Sequence, residues 1–338
     1  MQKKTVKTLD DIARLAKVSK STASRALSDS PLLSQKTRER IQKIAREHQF
    51  SVNVSARNLR VRQSHTIAFV TPDGASNFFF SPESLFGFEI LGGIGNALRS
   101  LGYDLLIANI NPLDTTSLHS YFDSGRVDGF ILLTSHTSQT IVEKLIALGA
   151  PFITWGVPMT GFSHCSVTGD NITGGMLATQ HLIQLGRQRI AFLGGIPDDL
   201  TVQHRYQGYE NALKAGGRRI ASKRVAYGDY SYASGLDAMR TLLTQAPDLD
   251  AVFVNSDLMA IAAIKIILES GRRVPEDVAV VGYDDVSIAM YNNLPLTTIR
   301  QNVPSAGQLL AQNLIRYIKT GEVTNVTTPV ELVIRKSA

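Results

Sequence analysis

The chain has 338 residues, 43% of them hydrophobic, and a formal net charge of +6, enough to bury a small module beside one large or two medium domains. The most apolar long stretch, 251–268, is broken by Asn255, Ser256, Asp257 and Lys265, and the opening MQKKTVKTLDD lacks the apolar core of a signal peptide, so a soluble, cytoplasmic protein without a membrane partner is expected. One cysteine, Cys165, rules out an intrachain disulfide and any multi-cysteine metal site, and the seven histidines (48, 65, 119, 136, 164, 181, 204) show no HExxH or i, i+4 spacing; no zinc, no cofactor and no catalytic centre are expected.

Thr8 to Leu27, TLDDIARLAKVSKSTASRAL, reads as two short amphipathic helices split by a turn at Lys17-Val18. Thr8 can cap the first with Asp11 as its third residue, and Ser19 can cap the second. Ile12, Ala13, Leu15 and Ala16 fall on one face, continued by Val18, Ala23, Ala26 and Leu27. The outward side of the second helix then carries Lys20, Ser21, Thr22, Ser24 and Arg25, residue types that contact phosphates and base edges. Ser34 opens a third helix, completing the smallest compact DNA-reading module. Charge separates this segment from an ordinary solvated helix pair. Residues 1–62 hold fifteen Lys plus Arg against five Asp plus Glu, a net of +10, leaving −4 for 63–338. A field so concentrated suits a polyanion with releasable counterions, whereas a membrane surface would call for an apolar insertion face that these helices lack.

Residues 50–66, FSVNVSARNLRVRQSHT, are too poor in apolar residues to fold alone, and Asn53 can cap a short helix carrying Ala56 and Leu59 on one side. Such a segment is either a linker or a hinge that orders on DNA with Leu59 wedged in the minor groove. From Thr66 the pattern alternates strand with helix. Strands are expected at 66–71, 103–109, 129–134, 151–155, 164–168, 189–194, 250–255 and 278–283, and helices at 89–101, 139–148, 172–185, 203–215, 233–243 and 259–270. This alternation predicts parallel sheets covered on both faces, and the number of units predicts two of them. Ligands on such sheets bind beyond the carboxyl ends of the strands, where Asp73 and an aromatic loop, Trp155, Asp170-Asn171, Ser256-Asp257 and Asp284-Asp285 fall. Aromatic faces with carboxylates, amides and guanidinium groups suit a sugar, although Asp257 is as readily a helix cap. The glycines of LGGIGNAL lie within a helical pattern, not after a strand, so a phosphate loop is rejected.

The blocks TLDDIARLAKVSKSTASRAL, SQKTRERI, NVSARNLR, VDGFILL, DN followed by LIQLGRQRIAFLGG, RYQGYENAL, NSDLMAIAA, RRVPEDVAVVGYDD and PLTTIRQ occur in an order that resembles the LacI/GalR family of bacterial transcription regulators over nearly the whole chain. The resemblance implies an all-α helix-turn-helix DNA-binding module over 1–60 with a hinge helix at about 53–60, a linker at 61–65, and a two-lobed α/β core like a periplasmic binding protein over 66–338. The first lobe would take 66–163 and 300–328, the second 164–299 and 329–338. PLTTIRQ and the 304–320 helix would return to the first lobe and a last strand, 329–335, to the second. Carried over from the family, Lys20, Ser21 and Arg25 take base-reading positions. Thr8, Ser19, Thr22, Ser24, Ser34 and Thr37 take phosphate-contacting ones, and Ala56 and Leu59 the minor-groove pair. Phe86, Glu89, Arg205, Tyr230, Ser256, Asp284 and Gln301 fall where the family contacts effector, with Trp155 close by. The chain departs from the family at Ser256, where most members have Asn, at Val52, where Pro is usual, and in a longer 74–85 loop. It also ends without leucine heptads, which favours a homodimer. The implied function is a repressor of carbohydrate-utilisation genes that reads a pseudo-palindromic operator under control of a sugar or related small molecule. A sugar receptor would share the core but need a signal peptide, and an enzyme on such sheets would need a nucleophile with its base.

Overall fold

The computed structural model describes residues 8–50, 63–72, 84–110, 115–133 and 138–338, which divide into two compact units, 1–64 and 65–338. In the first unit, Thr8 opens α1 (Leu9–Leu15) with a reciprocal box: its hydroxyl accepts from the Asp11 N–H at 3.2 Å while its own N–H donates to the Asp11 carboxylate at 3.1 Å. Ser19 caps α2 (Lys20–Leu27) through the Thr22 N–H, and Ser34 caps α3 (Gln35–Glu47) through the Thr37 N–H. Lys17, at φ 52°, turns the chain between α1 and α2. Ile12, Ala13, Ala16, Ala23, Ala26, Ile41 and Ala45 form the buried centre, the alanines letting the three helices approach closely. Leu15 departs from the expected face and is 47% exposed, because the buried stripe runs through Ile12, Ala13 and Ala16 and Leu15 sits roughly 100° from its middle. Ala56, Leu59 and the hinge helix expected at 53–60 lie outside the described residues, as does the aromatic part of the 73–83 loop.

The second unit holds two six-stranded sheets. The first runs β11-β5-β4-β3-β1-β2, all parallel, from β1 (Thr66–Pro72), β2 (Asp104–Ile110), β3 (Gly129–Leu133), β4 (Phe152–Trp155), β5 (Cys165–Gly169) and β11 (Asn325–Thr328). The second runs β12-β10-β9-β8-β6-β7, from β6 (Ile190–Gly194), β7 (Val225–Tyr227), β8 (Ala251–Val254), β9 (Ala279–Asp284), β10 (Thr297–Arg300) and β12 (Glu331–Val333). All its pairings are parallel except β10 with β12. Burial explains the sequence pattern: β3, β4, β6, β8 and β9 are covered on both faces and therefore read as unbroken apolar runs.

Helices α4 (Leu85–Leu101), α5 (Thr115–Phe122), α6 (Ser138–Leu148) and α12 (Val303–Thr320) belong to the first lobe. Helices α7 (Asn171–Gln184), α8 (Leu200–Ala215), α9 (Tyr232–Gln245), α10 (Asp257–Glu269) and the short α11 (Ser287–Tyr291) belong to the second. Each lobe contains a helix pair in reciprocal glycine-mediated contact. A Cβ on Gly93 would run into the Pro304 carbonyl and one on Gly307 into the Ile90 carbonyl, which locks α4 to α12. Gly175 meets the Arg205 carbonyl and Gly208 the Ile172 carbonyl in the same way, which locks α7 to α8. Of the glycines of LGGIGNAL, Gly93 thus serves helix packing, while Gly92 has open space around it.

Two boundaries differ from expectation. The strand at 165–169 pairs with β4 and β11 in the first sheet, so the chain leaves the first lobe after Gly169, not at 164. The TTIR of PLTTIRQ is β10, beside β9 in the second sheet, so the return comes after Arg300. The three crossovers are therefore 169–171, 300–303 and 328–331. His65 already belongs to the core, its N–H donating to Asp128 and its carbonyl accepting from Asp104 N–H, which shortens the expected 61–65 linker.

Candidate functional site

In the first unit, Lys20, Ser21 and Arg25 project from α2 into solvent, with Thr22 and Ser24 half-buried beside them. Lys20 Nζ rests on Asp10 at 2.8 Å, but both side chains are more than half exposed, so the pair is weak and a phosphate or base edge can displace it. Ser19 and Ser34 sit at the N-termini of α2 and α3, where free backbone N–H groups and a hydroxyl point the same way, the usual arrangement for a phosphate oxygen. Thr37 and Thr22 hydroxyls lie 2.9 and 2.8 Å from these caps. The face thus brings cations, hydroxyls and helix N-termini together.

In the second unit, residues near the carboxyl ends of strands in the two sheets come together, Glu89 of the first lobe bonding Ser287 of the second and Gln301 bonding Asp284. Phe86 and Trp155 come from the first lobe, their ring centroids 6.0 Å apart. Arg205, on α8, is 4% exposed: its Nε donates to Asn171 Oδ1 at 2.9 Å, its Nη1 to the Asn255 carbonyl at 2.6 Å, and its Cζ lies over the Tyr283 ring, 3.7 Å from the ring centre. Nη2 stands 4.0 Å from the Asp284 carboxylate, too far for a hydrogen bond. Gln301, in the second crossover, donates to Asp284 Oδ1 at 2.6 Å. Burial pushes the Asp284 carboxyl up to about 7, with Arg205 and the Gln301 amide pulling it back down. Burial also raises Asp257 well above the carboxylate range, with Asp284 adding to it. The Tyr230 hydroxyl faces Asp199 at 3.5 Å and is raised by burial and then by Asp199.

Two residues behave differently from the sequence reading. Ser256 accepts from the Met259 N–H and so caps α10, the task that Asp257 was given as its alternative. Asp257 instead reaches the Val286 N–H at 2.9 Å and the Thr298 hydroxyl, holding β9, β10 and α10 together. Glu89, on α4, accepts from both the N–H and the hydroxyl of Ser287, at 2.8 and 2.7 Å, so its carboxylate spans the cleft from lobe to lobe. Asp170, at a strand end, caps α7 through Thr173.

The sequence reading missed Asn255, and it placed Asn171 only as a strand-end position without its contact to Arg205. Both polar atoms of the Asn255 side chain and Oε1 of Gln301 are buried without a hydrogen-bond partner, an arrangement that a polar ligand would relieve. A strand-final asparagine ahead of a capping serine was the available signal. Among the described residues, no group of three His, Cys, Asp or Glu lies close enough to hold a metal, and no helix is long and apolar enough to cross a membrane.

Comparison with known proteins gives a consistent answer. Residues 8–53 match the model described as bacterial regulatory proteins, lacI family, and residues 179–338 the periplasmic binding protein-like domain. The HTH-type transcriptional regulator CelR of Thermobifida fusca is 38% identical over 339 residues, covering 99% of this chain and 97% of its own. A solved CelR–cellobiose complex superposes with a TM-score of 0.76 at 36% identity, over 98% of this chain and all of that one. The lac repressor dimer bound to operator and the anti-inducer ONPF superposes at 0.84 with 28% identity, over 98% of each chain.

Proposed function

The chain belongs to the LacI family of bacterial regulatory proteins, and from that premise we propose that it is a cytoplasmic repressor whose 1–64 unit reads an operator while a sugar in its core cleft sets operator affinity. As a homodimer it reads a pseudo-palindrome, one α2 per half-site, as the operator-bound relative suggests. Lys20, Ser21 and Arg25 address base edges; Thr8, Ser19, Thr22, Ser24, Ser34 and Thr37 address phosphates. Ala56 and Leu59 supply the minor-groove wedge.

The observation that carries the ligand half is the gap between Arg205 Nη2 and Asp284, 4.0 Å wide and backed by Gln301 and the unpaired Asn255 amide. A guanidinium donor and a carboxylate acceptor at that spacing suit a hydroxyl, which is acceptor and donor at once, and the Phe86 and Trp155 rings suit the CH face of a pyranose. Cellobiose is the first probe, because a solved CelR that is 36% identical to this chain is in complex with it. A thermal-shift screen of mono- and disaccharides, followed by operator titration with and without each hit, tests the reading. Cellobiose or another glycoside should raise Tm and alter operator affinity. A screen in which no sugar does both would overturn it.

A further inference from the structure

Asn171 ends the first crossover, opens α7 and is 2% exposed. Its Nδ2 donates to the Thr168 hydroxyl at 3.1 Å and to the Gly169 carbonyl at 2.9 Å. Its Oδ1 accepts from Arg205 Nε at 2.9 Å and from the Tyr283 hydroxyl at 3.4 Å. The reversed amide would set its own N–H groups against the Arg205 Nε–H, which has no lone pair to offer, so only one orientation satisfies every partner. The crossover carbonyl therefore fixes the amide, and the amide fixes the guanidinium. With Nε on Asn171, Nη1 on the Asn255 carbonyl and the plane against Tyr283, the Nη2 edge is the part of Arg205 left for the cleft. Rotating the guanidinium in its plane would aim Nη1 or Nε there instead, at a different height above Asp284.

We propose that Asn171 is the positioning residue of Arg205: its amide decides which guanidinium edge meets the ligand and ties that edge to the backbone of the first crossover between the lobes. This rests on the cleft being the sugar site. It also gives the ligand a route to the hinge, since a pull on Nη2 is felt through Asn171 at Thr168 and Gly169, the last residues of the first sheet before the crossing.

The test uses full-length protein labelled with 15N-arginine, in which the Arg205 Nε–H signal is assigned by its disappearance in Arg205→Lys. In the parent protein this proton should exchange slowly. Asn171→Ala should speed its exchange and weaken cellobiose binding, each on the order of tenfold, the loss of one hydrogen bond to a charged group. Asn171→Asp keeps an oxygen for Nε and should retain the protected signal. Thr168→Val removes a partner of the amide without removing a hydrogen bond from Arg205; it should speed exchange several-fold and serves where Asn171→Ala does not fold. Unchanged exchange in Asn171→Ala and Thr168→Val overturns the proposal whatever cellobiose does. Faster exchange with undiminished cellobiose affinity overturns it too. Faster exchange in a protein whose parent ignores cellobiose upholds the positioning role and counts instead against the cellobiose reading of the cleft.

Discussion

Ligand affinity should depend on pH through Asp284. Its carboxyl is pushed up to about 7 by burial, and the ionisable groups around it include Arg205, Glu89, Asp257, Tyr230 and Tyr283. A hydroxyl seated between Arg205 and Asp284 donates to the carboxylate and so favours its ionised form, lowering the pKa in the complex. Binding therefore releases a proton, and affinity tightens as pH rises through 7. From a free-state value of about 7, the ionised fraction climbs from roughly one-eleventh at pH 6 to roughly ten-elevenths at pH 8, so Kd should fall about tenfold over that window. Calorimetry in two buffers of different ionisation enthalpy reads both quantities, with about half a proton released per site at pH 7. Stability runs the opposite way in the free protein. Between about 4 and 7 the native state holds a proton that the unfolded chain has lost, so stability declines as pH rises, by at most about 4 kcal/mol. Asp284→Asn should thus flatten the pH dependence of any residual binding and raise the melting temperature at pH 8. A Kd that stays constant from pH 6 to 8, or proton uptake on binding, would refute the reasoning.

Other perturbations follow from the same geometry. Gly93→Ala should cost about 1–3 kcal/mol in denaturant unfolding because its Cβ meets the Pro304 carbonyl, whereas Gly92→Ala, with open space around it, should be neutral or gain up to about 1 kcal/mol; equal effects would remove the close-packing account. Arg205→Ala should abolish the sugar response in operator titrations while leaving ligand-free operator affinity within about threefold, since the residue lies in the core unit; a large loss of operator binding would contradict this. Ser287→Ala takes one of two donors from Glu89 and should weaken cellobiose binding two- to fivefold, about 0.5–1 kcal/mol, by loosening the closed cleft; tighter binding would mean that Glu89 is held back from the ligand by Ser287. Replacing Lys20 and Ser21 together should change the half-site selected from a random library, and an unchanged selected sequence would take them out of the base-reading set.

How much of this was legible in the sequence depends on whether a residue's role is local. The caps at Thr8, Ser19 and Ser34 need only residues within one turn, and they stand where the sequence placed them. Doubly covered strands such as Ile190–Gly194 carry enough apolar residues in a row to be seen without a partner. The strand Val225–Tyr227 has a single buried residue, so no periodicity could reveal it; its pairing with β6 creates it. The strand at 165–169 was seen but assigned to the wrong lobe, because Ser166 and Thr168 are buried by pairing to β11, which arrives from 160 residues further along. Ser256 and Asp257 were exchanged for a related reason: either can cap α10 locally, and only the distant Thr298 and Val286 decide that Asp257 is wanted elsewhere. Asn171 was seen as a strand-end position but not as a partner of Arg205, because nothing in its neighbourhood requires an asparagine until Arg205 and Tyr283 are brought to it.

The residues proposed to face the ligand and the residues that join the lobes are the same or adjacent, which constrains how a signal would leave the cleft. Gln301 is in the second crossover and holds Asp284; Asn171 is in the first and holds Arg205. One residue beyond Asp284, Asp285 grips Arg300 and Arg335 at 2.6 Å each, and Arg300 also holds Glu331 at 2.6 Å, so the second and third crossovers are bound to each other. Asp284, Asp285 and Asn302 all have positive φ, at 112°, 56° and 50°, conformations that cost a non-glycine residue on the order of 1–3 kcal/mol each. Strain concentrated at the pivot and clamped by these ion pairs, of which Arg335–Asp285 is largely buried, favours two discrete arrangements over continuous bending. A ligand that pulls on Arg205 and Asp284 must therefore either fit the present arrangement or tip the pivot into its other one, and its effect on operator affinity is limited to its difference in affinity for the two. The same coupling acts in reverse, so operator DNA must change sugar affinity by the factor by which sugar changes operator affinity, a reciprocity that paired titrations check without any assumption about which contacts carry it.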